Sequence, residues 1–470
     1  MENRPHSLLG IITLQEQRQC DGLDRHVPLI LRDGSLYDTE LDRFLLDLPL
    51  NGVRSPHSLR AYGYDVMIWV RFLEEVRGKS IWRAERADVA AFHHARRRGD
   101  GGSRISAGSW NRSIASLDKL YRWALEQRLV SASPFTHRDV WRRGYGSRRA
   151  RVVARNDAYE RASRRSDLRF VSLDDYRVFR DVGLRGLGAD GIERPGARDR
   201  NSTRNALFAD LLVTTGLRLE EASFLLAFEL TALSYIKSRQ VWLELPTALT
   251  KGDRGRNVLL PRRLLRQIID YVEIERAAAT AKFRERAGWK AIKRPILIRR
   301  VATGTRHLEL YTGRSVAIDH VAPDERGRIV ICDAHGAPAE PAALWLTEVG
   351  QPVQPNSWEQ AFIRASRRCT DAGFPLRVNP HQLRHGFAVH MLALLVQRRL
   401  REASNSSRAS TAMDGYRRLI GDPLQQVQRL LGHASLATTY VYLDHIATRA
   451  DTVDAAVEEL LALLPKVKAP

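Results

Sequence analysis

Cysteine is nearly absent: Cys20, Cys332 and Cys369 are the only three, and no two share a CxxC spacing. That set builds neither a disulfide framework nor a cysteine zinc site, and it suits a reducing compartment. Long apolar runs are missing too. The most hydrophobic stretch, Ser223 to Ile236, is too short to span a bilayer and carries Glu229, and no basic-then-apolar segment opens the chain. A soluble protein of a reducing cytoplasm, with no membrane partner, is expected. Acid is scarce relative to base: 54 Asp and Glu stand against 75 Lys and Arg, a formal charge of +21 with a pI near 10.4. There is no Walker phosphate loop and no clustered carboxylate triad of the kind that holds two magnesium ions. The surface this composition describes is one that binds a polyanion, with nucleic acid as the leading partner.

What is present is length and pattern. With 470 residues the chain can form two or three domains with cores of ordinary size. Residues 1–36 mix apolar pairs with charges and glycine and read as an N-terminal extension of weak structure. Residues 37–137 read as a compact all-helical module. Asp38-Thr39 can cap a helix through Leu41, Phe44, Leu45 and Leu48, and Ser55-Pro56 starts another that lines up Leu59, Tyr62, Val66, Trp69, Val70 and Leu73. Helical patterns recur over Val89 to Ala95 and Ser109 to Arg128. Residues 138–169 then shift abruptly to arginine, with Arg142, Arg143, Arg148, Arg149 and Arg151 among them and few apolar side chains. Such a stretch reads as an extended basic linker, either a solvated hinge or a strap across a phosphate backbone.

Residues 170–470 form the last domain. Ser172 to Asp175 is a plausible capping box, and a charged, glycine-rich loop follows from Gly183 to Arg200. A helix from Asn205 to Thr214 stops at Gly216, and Arg218 sits one helical turn before Glu221, where the carboxylate can orient the guanidinium. Alone, that is as well a surface ion pair. Val241 to Leu245 and Arg256 to Leu260 read as strands of a hairpin around Thr250-Lys251-Gly252-Asp253-Arg254-Gly255, with Lys251 near the tip, and alone an exposed lysine means only solubility. A helix from Arg262 to about Ala287 precedes a β-rich insertion near 290–340, and helices resume at Trp358 and Pro380.

The stretch His381-Gln382-Leu383-Arg384-His385 puts His381 and Arg384 three apart on one helical face with His385 beside them. A metalloprotease zinc helix requires H-E-x-x-H, and an arginine inside the span repels a divalent cation, so an anion is the better ligand and no metal is expected. Gln428 to Asp444 holds a helix end, a break at Gly432-His433, a new start at Ser435 and two tyrosines, Tyr440 and Tyr442.

Together these segments resemble the tyrosine recombinase (phage integrase) family. The matches are Thr214 to Glu221, Lys251-Gly252 on a hairpin, His381 to His385, and Leu431-Gly432-His433-Ala434-Ser435 followed by Thr438-Thr439-Tyr440-Val441-Tyr442, in the family's order over roughly 170–445. The resemblance implies a fold class: mainly α with a small antiparallel β-sheet, a tyrosine recombinase catalytic fold preceded by an all-helical SAM-like core-binding domain. It implies that Arg218 and Arg384 hold the scissile phosphate, that His381 and His433 donate to it, that Lys251 protonates the leaving 5′ oxygen, and that Tyr442 is the nucleophile. Glu221 and His385 would support this set from behind, and Arg142, Arg143, Arg148, Arg149 and Arg151 would contact DNA from the linker. Planar guanidinium forks suit the non-bridging phosphate oxygens where charge accumulates.

The implied product is a 3′-phosphotyrosyl bond and a free 5′ hydroxyl, which keeps the phosphodiester energy, so no cofactor is expected. The implied partners are double-stranded DNA and further copies of the chain, a homotetramer on paired recombination sites, alone or with companion recombinases. An integrase or transposase of a mobile element, on the nucleoid when bound, is the reading that fits the insertions and the N-terminal extension. A chromosome-dimer-resolving recombinase, a catalytically silent DNA-binding assembly factor and a type IB topoisomerase are the alternatives. The apolar stripe of Asp451 to Leu464 reads as a C-terminal helix that docks on a neighbouring copy or on its own domain. The β-rich insertion and the polar stretch 401–421 are expected on the surface, away from the phosphate pocket.

Overall fold

A computed structural model describes residues 9–12, 26–99, 104–143, 150–161, 170–188, 190–192, 201–238, 240–250, 254–301, 306–405, 423–433 and 439. The chain divides into two compact units, Met1–Arg165 and Ser166–Pro470. No helix among the described residues is long and apolar enough to cross a membrane.

In the first unit, helices α1 (Thr39–Asp47), α2 (Pro56–Arg77), α3 (Arg86–Arg97) and α4 (Ala107–Glu126) carry the core. Their ends are written locally. The Asp38 side chain accepts from the Leu41 amide at 2.9 Å, Pro56 opens α2, and Gly78 closes it in the left-handed region at φ 61°. The apolar stripes meet around Phe44, Trp69, Phe92, Trp110 and Tyr121, each buried. Their polar atoms are paired inside: Trp69 Nε1 donates to Tyr121 Oη at 2.9 Å, and Tyr121 Oη donates to the Ile81 carbonyl at 2.6 Å. Full burial of such rings stabilises the fold by about 2–3 kcal/mol each, provided those donors stay satisfied.

Two expectations are corrected here. The N-terminal extension is not weakly structured throughout: β1 (Leu9–Ile12), β2 (Leu29–Arg32) and β3 (Ser35–Leu36) form an antiparallel sheet, and Val27 and Ile30 are buried in the helical core. The turn between β2 and β3 is Asp33-Gly34, both at positive φ, a hairpin pair between strands too short for periodicity to reveal.

The described part of the basic segment is also not an unpaired linker. Strands β4 (His137–Arg143) and β5 (Ala150–Asn156) pair as an antiparallel ribbon, and the chain after it is fastened to the helices. Trp110 Nε1 donates to the Ala158 carbonyl at 2.8 Å, and Glu160 accepts from Arg97 Nε at 2.9 Å and Arg97 Nη2 at 2.7 Å. Hydrogen bonds from Arg97 hold the Glu160 carboxyl down at about 2. A shortage of apolar residues excludes a core but not a ladder, because a ribbon satisfies its backbone groups without one.

The second unit is mainly helical with small sheets. Helix α5 (Leu173–Val178) is capped by Ser172, whose hydroxyl accepts from the Asp175 amide at 3.0 Å. Helix α6 (Ser202–Thr215) runs through the core, followed by α7 (Leu219–Ser223) and α8 (Ala227–Ser234). Strands β6 (Val241–Leu245) and β7 (Arg256–Leu260) form the expected hairpin, with Val241, Leu243, Leu245, Val258 and Leu260 turned inward. Helices α9 (Arg262–Tyr271), α10 (Ala277–Glu285), α11 (Pro355–Asp371), α12 (Pro380–Asn405) and α13 (Pro423–Leu431) complete it. Phe208 of α6 stacks on Trp358 of α11 with ring centroids 3.7 Å apart.

The insertion is a five-stranded sheet in the order β10-β9-β8-β11-β12, built from Ile296–Val301 (β8), His307–Leu310 (β9), Ser315–Ala317 (β10), Ile329–Cys332 (β11) and Pro338–Pro341 (β12). The sheet reaches the β6–β7 hairpin. Thr247 Oγ1 donates to the Asp319 carbonyl at 3.1 Å, and Arg306 Nη1 meets Glu244 Oε2 at 3.2 Å, so the sheet braces the β6–β7 stem. Helix α12 continues to Asn405, and the rest of 401–421 and the stripe of 451–464 lie outside the described residues.

Candidate active site

The site begins where α6 ends. Gly216 adopts φ 66°, and a Cβ there would lie 2.4 Å from Phe387 Cδ1 and 3.0 Å from Leu431 Cδ2. Left-handed backbone and lack of space both demand glycine. The turn it makes puts Arg218 at the N-terminus of α7, where its amide donates to Glu221 Oε2 and its Nη1 to Glu221 Oε1, each at 2.8 Å. Glu221 is not on the surface: its side chain is 1% exposed.

Helix α12 supplies the next group. Arg384 is buried, and its Nη1 donates to the Gly216 carbonyl while Nη2 donates to the Leu431 carbonyl at 2.7 Å. One guanidinium thus joins the end of α6, its own helix and the end of α13. The His381 and His385 rings pack edge to face at 4.2 Å between centroids. Helix α13 stops at Gly432, φ 64°, and the His433 amide donates back to the Gln428 carbonyl at 3.1 Å. His433 Nδ1 lies 3.1 Å from Oγ1 of the fully buried Thr439.

Charge follows from this packing. Burial first, then the guanidiniums of Arg384, Arg218 and Arg256, push His433 down to about 4. Burial, His381, Arg384 and His433 bring His385 to about 4 as well, and His381 is lowered by desolvation, Arg384 and Arg218. At neutral pH the imidazoles are uncharged hydrogen-bonding groups among fixed cations. Because the folded values of His385 and His433 lie below 6.5, the unfolded chain takes the proton first, and the fold loses stability as pH falls from 6.5 toward 4.

Glu221 shows the opposite balance. Burial alone would raise its pKa, but the hydrogen bonds and charge of Arg256, then Arg218, outweigh it and hold the carboxyl below 4.5. Replacing Glu221 by Gln is expected to cost about 3–5 kcal/mol of stability, because it leaves two cations with an uncharged buried partner. The unfolded glutamate binds its proton before the folded one, so this contribution is complete above pH 4.5 and disappears as pH drops through the depressed folded value. Urea unfolding of both forms across pH 7 to 3 checks it; a difference that does not shrink toward acid pH would show that charge pairing is not its origin.

The structure therefore brings Arg218, Glu221, His381, Arg384, His385 and His433 together. Lys251, Tyr440, Tyr442, Arg148 and Arg149 lie outside the described residues, although Thr250 and Arg254 close the base of the Lys251 loop, Thr250 Oγ1 donating to the Arg254 carbonyl at 2.7 Å. Arg142, Arg143 and Arg151 occupy the ribbon, where the register sets Arg142 opposite Arg151. Sequence reading missed Arg256, whose Nη1 and Nη2 donate to Glu221 Oε1 and Oε2 at 2.8 and 2.6 Å. A signal was present: Arg256 has the same strand parity as the inward Val258 and Leu260, and an inward arginine needs a buried carboxylate.

Two arginines and three histidines thus converge from separate segments of the second unit. Over part of its length the chain is similar to tyrosine recombinases. Residues 41–128 match the phage integrase N-terminal SAM-like domain. The chain is 34% identical over 115 residues to tyrosine recombinase XerC of Ralstonia pickettii (24% of this chain, 26% of that protein) and 35% identical over 100 residues to that of Alcanivorax borkumensis (21% and 23%). It spans about a quarter of the length of these curated relatives. Among solved structures it is similar to the XerH site-specific recombinase in a post-cleavage complex on a palindromic difH substrate, with 15% identity, a TM-score of 0.47 and coverage of 94% of this chain and 93% of that one.

Proposed function

We propose that this chain is a site-specific DNA recombinase of a mobile element that cuts and rejoins strands through a 3′-phosphotyrosyl intermediate. Arg218 and Arg384 bind the non-bridging oxygens of the scissile phosphate, His381 and His433 donate hydrogen bonds to it, and Tyr442 attacks. Lys251 returns a proton to the 5′ oxygen, while Glu221 and His385 hold the arginines and the neighbouring imidazole. Double-stranded DNA is the substrate, and a homotetramer on paired sites, alone or with companion recombinases, is the working assembly in the cytoplasm. The single observation that carries this reading is the Arg384 guanidinium, bonded to the carbonyls of Gly216 and Leu431, which supports one pocket for Arg218, Arg384 and His433.

The test is covalent trapping on nicked suicide duplexes cut from the ends of the element that carries the gene. The expected product is a protein–DNA adduct that survives denaturation, forms in EDTA without ATP, and leaves a free 5′ hydroxyl. Tight binding of the duplex with no adduct would favour an assembly factor instead, and relaxation of any plasmid without site preference would favour a type IB topoisomerase.

The ribbon extends the DNA surface in this reading. Its register sets Arg138 opposite Arg155 and Arg142 opposite Arg151. Trp141, 75% exposed, stands between them in sequence. Replacing Arg142, Arg143 and Arg151 together by Gln is expected to flatten the plot of log binding constant against log salt by about 0.9 for each phosphate that is no longer neutralised. An unchanged slope in filter-binding titrations would remove the ribbon from the interface.

A further inference from the structure

We propose that Arg256 is a positioning residue of the cleavage pocket, a second guanidinium that locks Glu221 against Arg218, and that position 432 is glycine to let its side chain pass. The inference rests on the cleavage function proposed above.

A carboxylate has about four acceptor sites. Glu221 fills them from two residues: Oε1 takes Arg218 Nη1 and Arg256 Nη1, both at 2.8 Å, and Oε2 takes the Arg218 amide at 2.8 Å and Arg256 Nη2 at 2.6 Å. An i,i+3 pair between Arg218 and Glu221 alone is weak and free to rotate. The bidentate fork from β7 removes that freedom, which a lysine, with a single point charge, cannot do.

Exposure separates the two arginines. The Arg256 side chain is 10% exposed and the Arg218 side chain 31%, so Arg256 sits behind the carboxylate while Arg218 keeps an open side. Charge assigns Arg256 a second task. Arg218 and Glu221 by themselves sum to zero, and Arg256 restores one net positive charge to the place where a phosphate would bind.

The same side chain reaches two further parts of the site. A Cβ on Gly432 would lie 2.7 Å from Arg256 Cδ and 3.2 Å from its Nε, so the glycine before His433 is a clearance for this arginine as well as a left-handed turn at φ 64°. Arg256 also begins the strand that leaves the Lys251 loop, so the clamp on Glu221 fixes that stem of the hairpin.

The test uses the full chain and the suicide duplex, comparing wild type, Arg256→Met, Arg256→Lys and Arg256→Ala for single-turnover cleavage rate, DNA Kd and urea-unfolding midpoint. Arg256→Met is expected to cleave about 10–100-fold more slowly, with Kd changed far less. Arg256→Lys should recover the field but not the fork and fall between. Added methylguanidinium should raise the rate of Arg256→Ala. The acid limb of the rate profile should move to higher pH in Arg256→Met, because His433 loses a neighbouring cation.

Wild-type rates in a folded Arg256→Met variant would overturn the inference. So would a slow variant whose loss tracks unfolding, with no gain from Lys or methylguanidinium and no shift of the acid limb. Failure of wild type itself to form an adduct would instead overturn the cleavage reading.

Discussion

Tyr442→Phe is expected to abolish covalent capture of DNA, by a factor on the order of 10⁴ or more, while Tyr440→Phe keeps most of it. The ring is retained in both variants, so duplex binding should change little; only the phenolic oxygen is lost, and without it no phosphotyrosyl bond can form. A free phenol has a pKa of about 10 and needs nearby cations to attack at neutral pH. Among the described residues the cations stand together at Arg218, Arg256 and Arg384. Thr439, three residues before the proposed nucleophile Tyr442, is buried with its hydroxyl 3.1 Å from His433 Nδ1. Denaturing gels of both variants on the same suicide duplex give the answer. Capture that is lost with Tyr440→Phe and kept with Tyr442→Phe would shift the nucleophile by two positions and break the alignment of the last motif.

Arg384→Lys is expected to lower the cleavage rate by about 10²–10³-fold, the scale of removing one preorganised donor from a developing oxyanion. Its charge survives but its fork does not. Arg384→Ala removes both and strands two buried carbonyls, Gly216 and Leu431, at a cost of about 1–3 kcal/mol each. Urea unfolding separates the two effects: the lysine variant should unfold near wild type while cleaving poorly, and the alanine variant should fail in both. A lysine variant that cleaves normally would reduce Arg384 to a structural cap joining three segments.

Much of the fold is legible because its signals are local. Asp38 and Ser172 cap the helices that follow them, Pro56 opens one, and Gly78 and Gly216 close others, each through contacts within four residues. The β6–β7 hairpin shows in its alternation and its glycine-rich turn, and the insertion in its runs of β-branched residues. The misses share a cause. The short strands β2 and β3 and the arginine-rich ribbon are held by backbone pairing and by distant anchors such as Trp110 and Arg97, which composition does not register.

The candidate site divides in the same way. Order and spacing of Arg218, Lys251, His381, Arg384, His433 and Tyr442 are properties of the chain alone, and they carry the resemblance to tyrosine recombinases and the chemistry proposed from it. That the Arg218–Glu221 pair is buried and not a solvated ion pair, that Glu221 is shared with Arg256, and that Arg384 ties the carbonyls of Gly216 and Leu431 together were decided only in three dimensions. The physical reason is desolvation: what a charged side chain does depends on which partners replace its water, and those partners lie 35 to 168 residues away.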